Sequence, residues 1–307
     1  MTGHDETRRG SLQGLLAYGL WGLFPLYFHA LKPAGAWEIL AHRILWTLLL
    51  CALVLLVRRD LAWARQLWQR PRLGLGVTAA ALLIAVNWVV YVAAVLGGRT
   101  TEAALGYFLN PLVTVALGVF VLRERLRPLQ WVAVAIGGLA FVYLSVAAGS
   151  VPVIAITLAM SFGLYGLVKK EVGLSLQAMH SLAAETAVLA PIAAVMLAVL
   201  TVRGDTTFTT EGAVHTGLLV AAGAMTAAPL LLFAGAARRV PLVTIGLLQF
   251  ITPVLQLLCG VLLLDEHMST SRWIGFGIVW VALAVLTVDS LRNLPGRSRT
   301  HPAEVAP

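Results

Sequence analysis

The sequence predicts an all-α integral membrane protein of ten transmembrane helices, built as two inverted five-helix repeats. Three observations predict it. The composition is extremely apolar, ten long apolar runs are separated by connections whose basic residues alternate, and the chain matches itself at an offset of 142 residues.

Of the 307 residues, 59% are hydrophobic and 12% charged, and the mean hydropathy is +0.87. A soluble domain is about 45–50% apolar and about 25% charged. This chain has too little polar surface to cover so much apolar mass in water, and a bilayer is the solvent that fits. A net charge of +8 would suit nucleic acid only if the basic residues shared one face. They sit instead in short groups between apolar runs, so no nucleic-acid partner is expected. Cys51 and Cys259 lie within apolar runs of different halves. They read as small core hydrophobes rather than a disulfide or a metal site, and no cofactor is implied.

About 20 apolar residues carry a helix across about 30 Å of hydrocarbon. Runs of that kind cover 11–31, 36–57, 73–96, 101–122, 128–147, 151–168, 178–202, 213–236, 240–264 and 272–290. Short alternating strands of a barrel are absent, and hydrocarbon leaves helices as the remaining way to satisfy the backbone. With the N-terminus inside, 17 Lys and Arg fall in inner connections and four (Lys32, Arg99, Arg203 and Arg272) in outer ones. That bias orients the chain. Residues 1–10 are then a cytoplasmic N-terminus and 291–307 a disordered cytoplasmic tail, in a multi-pass protein of the inner membrane. Arg8-Arg9 precedes a long run with no A-x-A cleavage site, which reads as a first helix rather than an export signal.

At the offset of 142, Pro111 meets Pro253, Gly118 meets Gly260, Glu124 meets Glu266 and Trp131 meets Trp273. Between 104 and 144, 11 of 41 positions are identical to their counterparts, and Pro, Glu and Trp in one register are not cheap matches in apolar sequence. Tyr18-Gly-Leu-Trp-Gly22 likewise faces Phe162-Gly-Leu-Tyr-Gly166 at a shift of 144. The repeats are 11–147 and 151–290. Five helices is an odd number, so the second repeat enters the membrane from the opposite side. Inverted repeats around a midplane site are a transporter design, because exchanging the conformations of the halves alternates access.

The segment Tyr18-Gly-Leu-Trp-Gly-Leu-Phe-Pro-Leu-Tyr27 and Glu38-Ile-Leu-Ala-His-Arg43 resembles RarD-type members of the EamA branch of the drug/metabolite transporter superfamily. Asn87-Trp88, Gly106-Tyr-Phe-Leu-Asn-Pro111, Ser161-Phe-Gly-Leu-Tyr-Gly166, Pro229-Leu-Leu-Leu-Phe233 and Gln249-Phe-Ile-Thr-Pro253 extend the likeness over about residues 11–290. The resemblance implies ten helices, two repeats and a permease of the cytoplasmic membrane. RarD-type proteins carry a chloramphenicol-sensitivity label and relatives export amino acids and other metabolites. A small solute and membrane lipid are the implied partners, with monomer and homodimer both open.

Ionisable residues within spans cost about 2.5–3.5 kcal/mol each on insertion scales and mark functional positions. Glu38 and His42 lie one turn apart on the second run, beside Arg43. Arg43 binds an anionic group of the solute, closes an ion pair with Glu38 or Glu185, or snorkels outward. Glu185 stands in the interior of the second half; desolvation there favours its neutral form, which would suit proton coupling, and the alternative is a hydrogen bond between helices. Glu38 is a second coupling candidate. Asn110-Pro111 and Thr252-Pro253 read as mid-helix breaks paired at the repeat axis, where freed carbonyls line a site or merely kink a helix. Asn87, Gln249 and Gln256 lie at similar depth and either bind solute or bridge helices. The substrate-binding set is therefore His42, Arg43, Asn87, Asn110, Pro111, Gln249, Thr252, Pro253 and Gln256. Trp21, Tyr107 and Tyr165 stack on solute or pack. Gly19, Gly22, Gly118, Gly163 and Gly260 allow close helix contact, and Glu124 and Glu266 are end charges or loop contacts.

No H-E-x-x-H, P-loop or serine-centred elbow is present, so neither catalysis nor self-contained ATP hydrolysis is expected. The rival is a membrane-embedded enzyme, or a non-transporting subunit, using Glu38 and His42. The charge bias makes a direct prediction. Reporter fusions after Arg127 and after Arg239 should both read cytoplasmic, and one within 203–212 external; a reversal at any of the three breaks the inverted topology.

Overall fold

A computed structural model describes residues 3–60, 62–121, 126–173, 175–237, 239–240 and 248–292, and these contain no strand. The chain begins with α1 (Gly3–Gly22) and α2 (Phe24–Ala30), followed by α3 (Ala36–Val57) and a short α4 (Ala62–Gln69). Long helices α5 (Pro71–Leu96), α6 (Thr100–Phe120) and α7 (Pro128–Ala148) complete the first half. The second half comprises α8 (Val153–Gly173), α9 (Ala178–Arg203), α10 (Gly212–Ala237), α11 (Ile251–Leu258) with a π turn at Cys259–Leu263, and α12 (Thr270–Arg292). Helices α3, α5, α7, α9, α10 and α12 are each long and apolar enough to cross a membrane, and two shorter apolar stretches cover Val153–Lys169 and Ile251–Leu263.

Local chemistry sets the helix ends. Pro71 and Pro128 open α5 and α7, where the missing N–H is unpaired in any helix. Gly149 and Gly204 close α7 and α9 at φ +62° and +75°, and the next N–H returns to the carbonyl five residues back. Only glycine adopts that left-handed turn without strain. The expected span 11–31 is not one helix. It breaks at Leu23, because Pro25 has no N–H for the Trp21 carbonyl and its ring crowds the preceding turn. Two further differences are α4, a short helix between α3 and α5, and α8, which runs to Gly173 rather than 168. Glu124, Gly118's side-chain surroundings and the tail from 293 lie outside the described residues.

Across the bundle α7 packs on α12, α8 on α5 and α6, and α3 on α9 and α10. Helix α1 packs on α10 and α11, α5 on α9, and α6 on α11. One core joins α6, α7, α11 and α12 around Phe108, Leu112, Phe276 and Leu283; another joins α2, α3, α5, α8 and α10 around Phe28, Ile39, Val92, Leu158 and Leu219. Leu53, Val57, Leu139, Val142, Val195 and Val281 are exposed on the outside, as a lipid-facing surface requires.

Small residues decide how closely these helices approach. A Cβ on Gly223 would lie 2.5 Å from the Trp46 carbonyl carbon, and one on Gly22 would lie 2.6 Å from Leu255. Gly163 and Gly260 are also close-packed, whereas Gly19 has open space within 4 Å and so is not a contact glycine. Overpacking costs roughly 1–3 kcal/mol or more. Gly223→Val should therefore destroy the monodisperse folded protein in detergent, while Gly19→Ala should leave the melting temperature unchanged or slightly raised.

Candidate functional site

The deepest polar cluster begins at the break between α1 and α2. With Pro25 in place the Trp21 carbonyl has no helical donor, and Gln256 Nε2 donates to it at 3.2 Å. Leu26 N–H turns to Leu23, which frees the Gly22 carbonyl for the Cys259 thiol at 3.7 Å. The Thr252 hydroxyl donates to the Tyr18 carbonyl at 2.8 Å. Three side chains of α11 and its π turn thus grip the end of α1, two of them at the carbonyls the break leaves open. A proline break in apolar surroundings is tolerated only with such partners.

Arg43 lies seven residues into α3, about 10 Å along the helix at ~1.5 Å per residue, and is 3% exposed. Its guanidinium carbon sits 4.4 Å from the Trp88 ring centre, 5.2 Å from Phe28 and 5.8 Å from Phe24. Nε donates to the Thr226 hydroxyl of α10 at 3.2 Å, while Nη1 is buried without a hydrogen-bond partner. Tyr27, Tyr91 and Tyr107 lie within electrostatic range. Tyr91 OH and Gln256 Oε1 are also buried without a hydrogen-bond partner.

Arg43 makes an ion pair with neither Glu38 nor Glu185. Glu38 accepts from Thr207 N–H at 2.7 Å and from its hydroxyl at 2.9 Å, in the α9–α10 connection. Thr207 in turn meets His215 Nε2 at 2.7 Å. Phe208, one residue on, stacks on the His42 ring at 4.7 Å, and His42 Nδ1 accepts from Trp46 at 3.1 Å. Glu38 and His42 therefore serve one seal without bonding each other. At the same end, Glu266 takes the backbone N–H groups of Thr100 and Thr101 at 2.5 and 2.8 Å, capping α6.

Glu185 has a fixed cation, contrary to the expectation of a lone intramembrane carboxylate. Because α8 continues past 168, Lys169 is helical and its ammonium pairs with Glu185. The Ser181 hydroxyl donates to the same carboxylate at 2.8 Å and Tyr165 OH at 3.2 Å. Asn87 is fully engaged: Nδ2 donates to the Leu158 carbonyl and Ser161 hydroxyl, both at 3.0 Å, and Oδ1 accepts from Tyr107 at 3.0 Å. Pro111 is inside α6, whereas Pro253 is the third residue of α11, in its first turn rather than mid-helix. Asn110 Oδ1 is buried without a partner, and Gln249 is half-buried. Trp21 packs on Tyr18 and Phe233, Tyr107 on Tyr91 and Phe162, and Tyr165 on Phe162. A separate crevice of about 930 Å³ between α5 and α8 is lined by Arg70, Arg72, Gly76, Val168 and Val172 and contains none of these residues.

Sequence reasoning missed the aromatic cage and the Trp21 carbonyl. Pro25 within an apolar run was the available signal for the second; nothing in the spacing announced that Phe24, Phe28, Trp88 and Tyr91 converge on Arg43.

This geometry sits in a chain whose relatives are clear. The signature of the EamA-like transporter family matches residues 8–146 and again 150–288. The chain belongs to that family, as a RarD-type member. Protein RarD of Streptomyces exfoliatus is 48% identical over 308 residues, covering 100% of this chain and 96% of that one. An uncharacterized transporter of Pseudomonas aeruginosa is 44% identical, covering 94% and 97%. A crystal structure at 20% identity superposes with a TM-score of 0.60 over 92% of this chain and 98% of the other, a likeness of fold. As an EamA-family protein, the chain is a multi-pass membrane transporter.

The Lys169–Glu185 pair gives a prediction. Removing one partner of a buried pair costs about 3–5 kcal/mol, and the Lys169 side chain is 28% exposed, which lowers the expectation to roughly 1–3 kcal/mol. Glu185→Leu and Lys169→Met should each lower the melting temperature, and the double variant should recover part of the loss. Strictly additive losses would show that the pair is not coupled.

Proposed function

We propose that this transporter is a secondary or facilitative permease of the bacterial inner membrane, moving a small metabolite or drug-like solute outward by alternating access between two inverted five-helix halves. The observation that carries the reading is the pattern of helix pairing. Exchange α1–α2 with α8, α3 with α9, α5 with α10, α6 with α11 and α7 with α12. Then α8 on α6 becomes α1 on α11, α8 on α5 becomes α1 on α10, and α3 on α10 becomes α9 on α5, while α3 on α9, α6 on α11 and α7 on α12 map onto themselves. The exchange thus carries the main helix pairs between halves onto one another, though not with equal extent. Two such halves can swap conformations and so expose one central site to either side in turn.

The site lies between the halves, at Arg43, Asn110, Pro111, Gln249, Thr252, Pro253 and Gln256, with His42 at its border. Helices α3, α5 and α6 wall it from one half and α10 and α11 from the other. With both termini cytoplasmic, Thr207 bound to Glu38, Phe208 on His42 and Glu266 on α6 form an external seal. Lys169 and Glu185 then brace the cytoplasmic end. The enzyme reading is disfavoured because Thr207 holds both Glu38 oxygens, which leaves His42 without a carboxylate partner.

The test begins with a thermal-shift screen of purified protein against amino acids, nucleosides, sugars and antibiotics, followed by counterflow of the hits in liposomes. In a chain with Cys51 and Cys259 replaced by alanine, Glu38→Cys with Thr207→Cys should cross-link on oxidation. Cross-linking should abolish counterflow, and a reductant should restore it. Undiminished exchange in the cross-linked chain would mean that access does not alternate through this seal.

A further inference from the structure

We infer that the solute held at Arg43 is a small organic monocarboxylate with an apolar body, an inference that rests on the permease reading above. The argument starts from charge. A buried guanidinium is ordinarily matched by a carboxylate, and the two interior candidates are committed elsewhere, Glu38 to Thr207 and Glu185 to Lys169. Among the described residues Arg43 has no salt-bridge partner. Its neighbours are the rings of Trp88, Phe28 and Phe24 and the Thr226 hydroxyl, none of which is an anion.

The unsatisfied atoms define the ligand further. Arg43 Nη1 is a donor with no acceptor, and the Tyr91 hydroxyl is a second group without a partner. Both residues are 3% exposed. One charged donor and one hydroxyl suit the two oxygens of a carboxylate. A single guanidinium balances one negative charge. The aromatic walls cannot hydrate a second, which disfavours phosphate monoesters and dicarboxylates. They do accept an apolar or flat body beside the charge. A cationic solute would meet like charge at closest approach, and a neutral amide would bring no compensating charge.

The probes are benzoate and phenylacetate, each set against its neutral amide, benzamide and phenylacetamide. Purified full-length protein in detergent is titrated at low salt, following melting temperature and tryptophan fluorescence, since Trp88 abuts the guanidinium. The carboxylates should raise the melting temperature and perturb the fluorescence, and the amides should bind at least tenfold more weakly. Arg43→Gln should remove the preference for the carboxylate. Should that variant fold poorly, Tyr91→Phe deletes the hydroxyl alone and should weaken carboxylate binding several-fold at unchanged amide binding. Equal binding of acid and amide, unchanged carboxylate binding in both variants, or binding of no probe overturns the inference. Counterflow of the same probes separates the two claims. Exchange of amides without carboxylates keeps the permease and removes the anion site. Arg43-dependent carboxylate binding without exchange keeps the anion site and removes the permease.

Discussion

Hydrocarbon offers a polypeptide no hydrogen-bond partners and no counter-ions, and the arrangement of this bundle follows from that constraint. Every interruption of a helix ladder has to be answered, by a local turn or by another helix. The break at Pro25 shows the consequence most fully, because the carbonyls of Trp21 and Gly22 are answered by Gln256 and Cys259. A local defect in α1 has become a specific attachment between the two halves. The attachment is directional and polar, so it fixes register in a way that Leu-on-Leu packing does not.

The same constraint separates polar groups that hold the fold from those left for something else. Asn87 has all its drawn partners within three helices, Glu38 is saturated by one threonine, and Glu185 by a lysine and two hydroxyls. Arg43, Tyr91 and Gln256 are different, each burying an atom that hydrogen-bonds to nothing. Burial of an unmatched ion costs several kcal/mol. A cation–π contact returns about 2 kcal/mol when desolvated. The remainder is a standing destabilisation, which the proposed solute would relieve for part of each cycle.

Much of the architecture was legible in the sequence because the bilayer enforces a coarse code. The apolar run 36–57 coincides with α3 residue for residue, and 128–147 differs from α7 by one. Hydropathy reports where a chain crosses hydrocarbon and is silent on what its side chains touch. It could not see that Lys169, counted among the basic residues of a connection, would lie within α8 and meet Glu185. It could not see Pro253 in the first turn of α11, because position in an apolar run does not fix where a helix begins. The cage around Arg43 was illegible for a deeper reason. Its rings come from α2 and α5, and convergence of that kind is decided by helix rotation, which a composition averaged over many residues does not encode.

The repeat and the site constrain each other. If the halves exchange conformations, groups at the centre must be compatible with both arrangements, while groups at the two ends must be made and broken in turn. The distribution of satisfied bonds fits that division. Hydrogen bonds at the end holding Thr207 join a carboxylate to a connecting segment rather than helix to helix, and such contacts part without unpacking a core. At the other end the Lys169–Glu185 pair bridges α8 and α9 through a long, partly exposed side chain, which can also release. The Gln256 contact of α11 with α1 is to a backbone carbonyl whose helical donor Pro25 removes, so that carbonyl has no i+4 donor to switch to. On that reading the moving parts are at the two ends, and the proposed binding groups sit beside an attachment that holds.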